Sequence, residues 1–175
     1  LNAASVDIGN NGVLAYGINN TTINYNLGDK DTSENTFVYL ISSNVNFNNA
    51  EITVSKNGLG VYQEGTSSVV SGYKKLYIKE NAAGIYGYQT NLYNVGDIEL
   101  TEKNSVGIIA EDSNVQNNSL KNIVINDSGS VGVYSVLKNT SLLKSVDNLG
   151  EINVSGDKSI GIYGNTLNNA GVSLG

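Results

Sequence analysis

Cysteine, histidine, methionine, tryptophan and proline are all missing from these 175 residues, and the ten basic residues are all lysine. Without cysteine there is no disulfide, no thiolate nucleophile and no cysteine metal site. Without histidine or arginine, histidine triads, His/Cys zinc sites and arginine clamps are excluded as well. Clustered positive charge is missing too: Lys74-Lys75 is the one adjacent basic pair and the net charge is −6. Phosphate-backbone recognition needs such clusters, so neither nucleic acid nor an anionic membrane surface is an expected partner. No apolar run reaches bilayer-spanning length and no signal-peptide pattern is present. With 39% hydrophobic residues and only two phenylalanines, a compact globule would be poorly provisioned. A narrow solenoid core of Val, Ile and Leu is a better match. The start at Leu1 in a chain without methionine leads to the expectation of a piece of a longer protein.

What is there is a phrase repeated along the chain: Leu59-Gly60-Val61-Tyr62, Ala83-Gly84-Ile85-Tyr86, Val106-Gly107-Ile108-Ile109, Val131-Gly132-Val133-Tyr134 and Ile160-Gly161-Ile162-Tyr163. Thr36-Phe37-Val38-Tyr39 is a copy without the glycine, and Asn11-Gly12-Val13-Leu14 is a fainter one. A repeat of roughly 20 to 30 residues built from short alternating apolar runs marks a solenoid, in which each unit buries its face only against its neighbours. A second phrase precedes the first: Glu51–Ser55, Lys75–Lys79, Asp97–Thr101, Asn122–Asn126, Glu151–Ser155 and a last copy at Gly171–Leu174. Its alternation is that of a half-buried strand. Asn, Asp and Gly between the two phrases suit tight corners.

Strict alternation puts Leu59/Val61, Ala83/Ile85, Val106/Ile108, Val131/Val133 and Ile160/Ile162 inward from the first phrase. From the second it selects Ile52/Val54, Leu76/Ile78, Ile98/Leu100, Ile123/Ile125, Ile152/Val154 and Val172/Leu174. Weaker runs, Val69-Val70, Leu92-Tyr93, Val115, Leu142-Leu143 and Leu167, supply a third side. The expected fold is all-β: a right-handed parallel β-helix, since parallel crossovers take that hand. About seven coils of roughly 24 residues would make a rod on the order of 30 to 35 Å long. Residues 1–175 read as a single β-helix segment.

The Val-Gly-Ile-Tyr phrase, paired with Gly150-Glu151-Ile152-Asn153-Val154-Ser155, resembles the passenger repeats of large fusobacterial type V autotransporter adhesins. The resemblance covers residues from about 36 to 164, and the asparagine-rich, arginine-free and cysteine-free background agrees with it. Phe37 in place of the glycine and Ile109 in place of the tyrosine depart from the pattern. The resemblance implies an extracellular stalk at the bacterial cell surface, anchored through an outer-membrane barrel outside this segment. Partners implied are host cell-surface proteins, glycans or the surface of another bacterium. No family binding motif maps onto particular residues here.

Five tyrosines, Tyr39, Tyr62, Tyr86, Tyr134 and Tyr163, share one repeat position and are the candidate ligand-binding residues, as an aromatic ladder suits an exposed interface. The plain alternative is that they stabilise the sheet face or lie beneath the return loops across the glycine gap. Catalysis would have to rest on carboxylates: Asp97/Glu99 on one strand, Glu111-Asp112, and Glu51 with Glu151. A carbohydrate-active β-helix of tailspike or lyase type is therefore the rival reading, with a purely structural stalk as the third. The expectation is a non-enzyme with no cofactor and no metal, since the Gly-Gly-x-Gly-x-Asp calcium repeat is lacking. The repeated glycines have no Gly-Lys-Ser/Thr and no following helix, so they are structural. Asn20, Asn117 and Asn139 begin Asn-x-Ser/Thr triplets. The segment Asn24–Asn35 is polar and charged, and the return Ser135–Asn148 is the longest; Leu137, Leu142, Leu143 and Val146 in the latter are expected to pack back on the rod. Exposed end strands carry a risk of end-to-end association.

Overall fold

The computed structural model describes residues 12–26, 30–31, 35–66, 68–141, 143–164, 167–169 and 172–174. All regular structure is β, and every strand pair is parallel. The chain winds through three strands per coil. The first coil contributes β1 (Val13–Ile18), β2 (Thr22–Asn24) and β3 (Lys30–Asp31). β4 (Thr36–Ile41), β5 (Asn44–Asn46) and β6 (Glu51–Val54) follow, then β7 (Leu59–Glu64), β8 (Val69–Ser71) and β9 (Lys75–Ile78). Next come β10 (Ala83–Tyr88), β11 (Asn91–Asn94) and β12 (Asp97–Leu100), then β13 (Val106–Glu111), β14 (Asn114–Asn117) and β15 (Asn122–Ile125). β16 (Val131–Val136), β17 (Val146–Asn148) and β18 (Glu151–Val154) precede a last set, β19 (Ile160–Tyr163), β20 (Leu167–Asn169) and β21 (Val172–Leu174).

Equivalent strands stack into faces. The long strands form one sheet, β1-β4-β7-β10-β13-β16-β19, and the strands of the second phrase form another, β21-β18-β15-β12-β9-β6-β3. The third face is split into β2-β5-β8 and β11-β14-β17-β20. This is the parallel β-helix that the repeat predicts. About five turns are complete, against the seven expected, because residues linking the strands of the first and last coils fall outside the described set.

Three apolar columns meet in the interior. The long strands supply Val38, Val61, Ile85, Ile108 and Val133; the second phrase supplies Ile52/Val54, Leu76/Ile78, Ile98/Leu100, Ile123/Ile125 and Ile152/Val154. The third face adds Val45, Val70, Leu92, Val115 and Val146. Each such side chain contributes about 1.5–3 kcal/mol of burial before chain entropy is counted. Both phenylalanines of the chain, Phe37 and Phe47, pack with Tyr25 in one buried cluster with ring centroids 5.3–6.1 Å apart.

Alternation breaks once per long strand, and this corrects the inward assignment of Leu59, Ala83, Val106, Val131 and Ile160. The first four are half-buried, and Ile160 is 43% exposed. The glycine and the residue after it both face the core. A Cβ on Gly60, Gly84, Gly107 or Gly132 would lie 2.4–2.6 Å from the carbonyl oxygen of the next glycine up the rod. Its other near neighbours would be core methyls of Val54, Ile78, Ile98 and Ile125. Strand pairing reflects the break: Leu59 pairs Ala83 and Val61 pairs Ile85, with no pair at the glycines between. Phe37 takes the glycine position in its own coil and fills the core with its ring, being 2% exposed.

Corners are made by residues that tolerate the left-handed region. Among the described residues seven of twelve non-glycine residues with positive φ are asparagine, including Asn57, Asn81 and Asn104 at successive copies of one corner. Side-chain ladders secure the coils. Asn94 donates to Asn117 (2.6 Å) and Asn117 donates to Asn148 (2.7 Å), all three buried. The buried Tyr73 hydroxyl donates to Asn94 and so tops that column. Ser105 N–H donates to Ser130 Oγ and Ser130 N–H to Ser159 Oγ, each at 3.1 Å. Asn117, the head of one Asn-x-Ser triplet, is thus an interior group and not an accessible acceptor.

In the long return after β16, the inward residue is Val146. Leu143 stands 98% exposed instead of packing back, and Leu142 lies outside the described residues. The buried Asp112 carboxylate pins the start of this return by accepting the backbone N–H groups of Lys138 (2.8 Å) and Asn139 (2.9 Å).

Candidate functional site: the tyrosine column

The long-strand sheet turns one face to the core and one to solvent, and the residue after each buried Val or Ile lies on the outer face. Parallel in-register pairing brings these residues side by side: Tyr16↔Tyr39↔Tyr62↔Tyr86↔Ile109↔Tyr134↔Tyr163. All five predicted tyrosines are therefore in one column, with the expected interruption at Ile109. Tyr16 is a sixth member that the sequence reading missed. The fainter repeat copy was anchored on Gly12, whereas Val13 pairs Thr36, so the true match runs Leu14-Ala15-Tyr16. The signal available was the 23-residue step from Tyr16 to Tyr39, equal to that from Tyr39 to Tyr62.

The rings stack. Tyr39 and Tyr62 have centroids 4.3 Å apart at 14°, Tyr62 and Tyr86 5.4 Å at 9°, and Tyr134 and Tyr163 5.2 Å at 7°. Tyr16 is tilted by 42° against Tyr39 at 5.3 Å. Tyr39, Tyr62 and Tyr86 are half-buried, while Tyr16, Tyr134 and Tyr163 are more open, Tyr163 at 53%.

Carboxylates border the column. Tyr62 donates its hydroxyl to Glu64 (3.0 Å) and Tyr86 donates to Glu111 in the next coil (2.6 Å). Burial, then the bond to Glu111, pushes the Tyr86 phenol up to about 12. Burial, followed by Glu64 and the neighbouring Tyr39, likewise raises Tyr62 well above its ordinary value. Both phenols are neutral donors at any physiological pH. Lys138 at 2.8 Å from Glu111, followed by the Tyr86 hydroxyl, holds the Glu111 carboxyl below the usual range. The stacked rings cover one another's faces and turn their edges outward, with the hydroxyls of Tyr62 and Tyr86 held by carboxylates, a surface suited to edge contacts and hydrogen bonding.

The candidate acid/base carboxylates are dispersed. Asp97 and Glu99 lie on the outer face of the second-phrase sheet, where Asp97 accepts Asn122 N–H (3.1 Å) and Glu99 is paired with Lys75 (2.7 Å). Glu111 belongs to the long-strand sheet and meets Lys138 and Tyr86 instead. Glu51 and Glu151 are separated by β9, β12 and β15. Among the described residues no three carboxylates gather as a metal site would require. No family model, curated protein or solved structure matches the chain.

Proposed function

We propose that this chain is a rigid segment of an extracellular bacterial adhesin of the autotransporter-passenger kind, displaying the tyrosine column as its adhesive face. The observation that carries this reading is the run Tyr39–Tyr62–Tyr86, three near-parallel, half-buried rings in register on the outer face of the sheet. Preordered aromatic rings contribute large contact area at little entropic penalty on binding. A coil-on-coil rod, in turn, holds such a face away from the cell it is anchored to. The partner is a host cell-surface protein or glycan, or the surface of another bacterium. Anchoring through an outer-membrane barrel elsewhere in the parent chain completes the proposal. Glu111 lies on a different sheet from Asp97 and Glu99, so the three carboxylates weighed for a carbohydrate-cleaving reading do not share one face.

The test is adhesion of the purified protein to epithelial cells and to partner bacteria, beside a variant with Tyr62, Tyr86 and Tyr134 changed to Ser. Circular dichroism on both establishes that the β-helix is kept. Adhesion lost in a folded variant supports the proposal. Absence of adhesion by either protein reduces this segment to a stalk.

A further inference from the structure

The rod is amphipathic around its circumference. Most outward residues of the second-phrase sheet are charged or polar, with Lys75 paired to Glu99 and Asp97 accepting Asn122 N–H. The long-strand sheet differs. The first, fourth and sixth residues of its strands stay half-buried or exposed, so it presents three outward columns. The tyrosines are the middle column. On one side stand the residues before the repeat glycine, Leu59, Ala83, Val106, Val131 and Ile160, in register. On the other runs Ile18↔Ile41↔Glu64↔Tyr88↔Glu111↔Val136. No lysine lies on these seven strands.

Size sets this face apart. Six residues of strand span about 20 Å and seven strands about 30–35 Å, on the order of 600–700 Å² in projection. The largest apolar patch on an ordinary monomer is roughly 300–600 Å². A stable pair of proteins buries about 800 Å² on each partner. The face is therefore close in size to one half of an interface.

Charge identifies the occupant. The two carboxylates on the face are already engaged within the chain. Glu64 accepts the Tyr62 hydroxyl (3.0 Å), and Glu111 accepts the Tyr86 hydroxyl (2.6 Å) and meets Lys138 (2.8 Å). A partner therefore needs to bring no cation; it needs flatness, apolar side chains and a matching strand pitch. A second copy of this face supplies all three, since both sheets repeat at about 4.8 Å and sheets pack face to face at about 10 Å. The third column decides the orientation. Full overlap about the middle strand, β10, runs the two rods either parallel or antiparallel. Antiparallel overlap lays β7 on β13 and the third column on itself, bringing Glu64 of one copy onto Glu111 of the other. Like charges juxtaposed across an interface are costly. Parallel overlap lays the third column on the first, which keeps the four carboxylates at two separate rims. We propose that two copies of this chain pair side by side, rods parallel, through the outer face of the long-strand sheet. This pairing rests on the proposed role of the tyrosine column as a contact face, with a second copy as its occupant; an adhesive partner engages the column by exchange.

Sedimentation velocity on the whole chain tests the pairing. A shift from monomer to dimer is expected within about 1–100 µM, the weak end for interfaces of this size. Val106→Lys puts a charge into the first column and should raise the dissociation constant about tenfold or more, because that charge has no partner there. Val124→Lys puts the same charge on the outer face of the second-phrase sheet and should leave the dimer unchanged. Circular dichroism establishes that each variant keeps its β structure, and Ala83→Lys replaces Val106→Lys if the latter unfolds. Orientation is read from Tyr134→Cys and a short bismaleimide, at a concentration where that variant is dimeric; its cysteine is unique in the chain. Parallel rods set the two cysteines opposite each other, and they crosslink. Antiparallel rods hold them four strands apart, about 19 Å, and they do not. A monomer at every concentration overturns the proposal, while the adhesion test of the tyrosine column still stands. A dimer equally strong in folded Val106→Lys, as an end-to-end contact would be, overturns it. So does a Tyr134→Cys dimer that fails to crosslink.

Discussion

Among the described residues Asn44 Oδ1 is buried without a hydrogen-bond partner, and the residue paired with Asn44 one coil further on is Val69. At the matching step between β11 and β14, Asn114 Nδ2 donates to Asn91 Oδ1 at 2.9 Å. The ladder is therefore built at one level and missing its donor at the other. A valine that is 43% exposed stands where an amide would fit. Val69→Asn should satisfy the stranded oxygen and remove an exposed apolar side chain, raising stability by about 1 kcal/mol. Urea unfolding midpoints of the two proteins measure this, and an unchanged or lower midpoint would sink the idea.

The glycine column should tolerate no side chain. In Gly107→Ala the new Cβ would begin 2.5 Å from the Gly132 carbonyl oxygen, a backbone atom that moves only if the coils part. A loss of about 1–3 kcal/mol, the usual range for overpacking, is expected in thermal unfolding. A neutral result would mean that the coils separate more easily than their stacking indicates.

Ile109→Tyr should join the two halves of the aromatic column, because Ile109 pairs with Tyr86 on one side and Tyr134 on the other. Two new stacked contacts at about 0.5–1.5 kcal/mol each should raise the melting temperature. A fall would show that the isoleucine is needed for packing at that rung.

Acid should weaken the link between the column and the long return. Lys138, then Tyr86, lowers the folded pKa of Glu111 beneath its ordinary 4.5. A depressed carboxyl adds stability that is present above the unfolded value and lost as pH falls through the folded one. Wild type should therefore lose stability on acidification below about pH 4.5 more steeply than Glu111→Gln, whose link to Lys138 is already gone. Unfolding midpoints at pH 7 and pH 3 compare the two; equal slopes would argue against the pairing.

Much of this architecture was legible because stacking repeats write the core into the sequence at a fixed period. Ile98, Leu100, Ile123 and Ile125 alternate cleanly and are buried as read. Leu59 and Ile160 were misassigned because simple alternation ignores a position where backbone meets backbone, and the glycine there was the clue. Val146, rather than Leu143, fills the sixth coil because strand register outweighs local hydrophobicity. The tyrosine column could be read from one repeated position.

The ladder Asn94–Asn117–Asn148 has a mechanical consequence. Parallel coils direct their hydrogen bonds along the rod, so a pull at one end loads the last coil alone and peels it free before the next is strained. With 23 residues from Ala83 to its partner Val106 and 29 from Val131 to Ile160, each release adds roughly 75–105 Å of contour at about 3.3–3.6 Å per residue. Single-molecule stretching should show a sawtooth with steps in that range, and its highest forces where the buried amides thread consecutive coils. Such a rod lengthens in stages under shear, spending load on its outermost turn while the turns behind keep their shape.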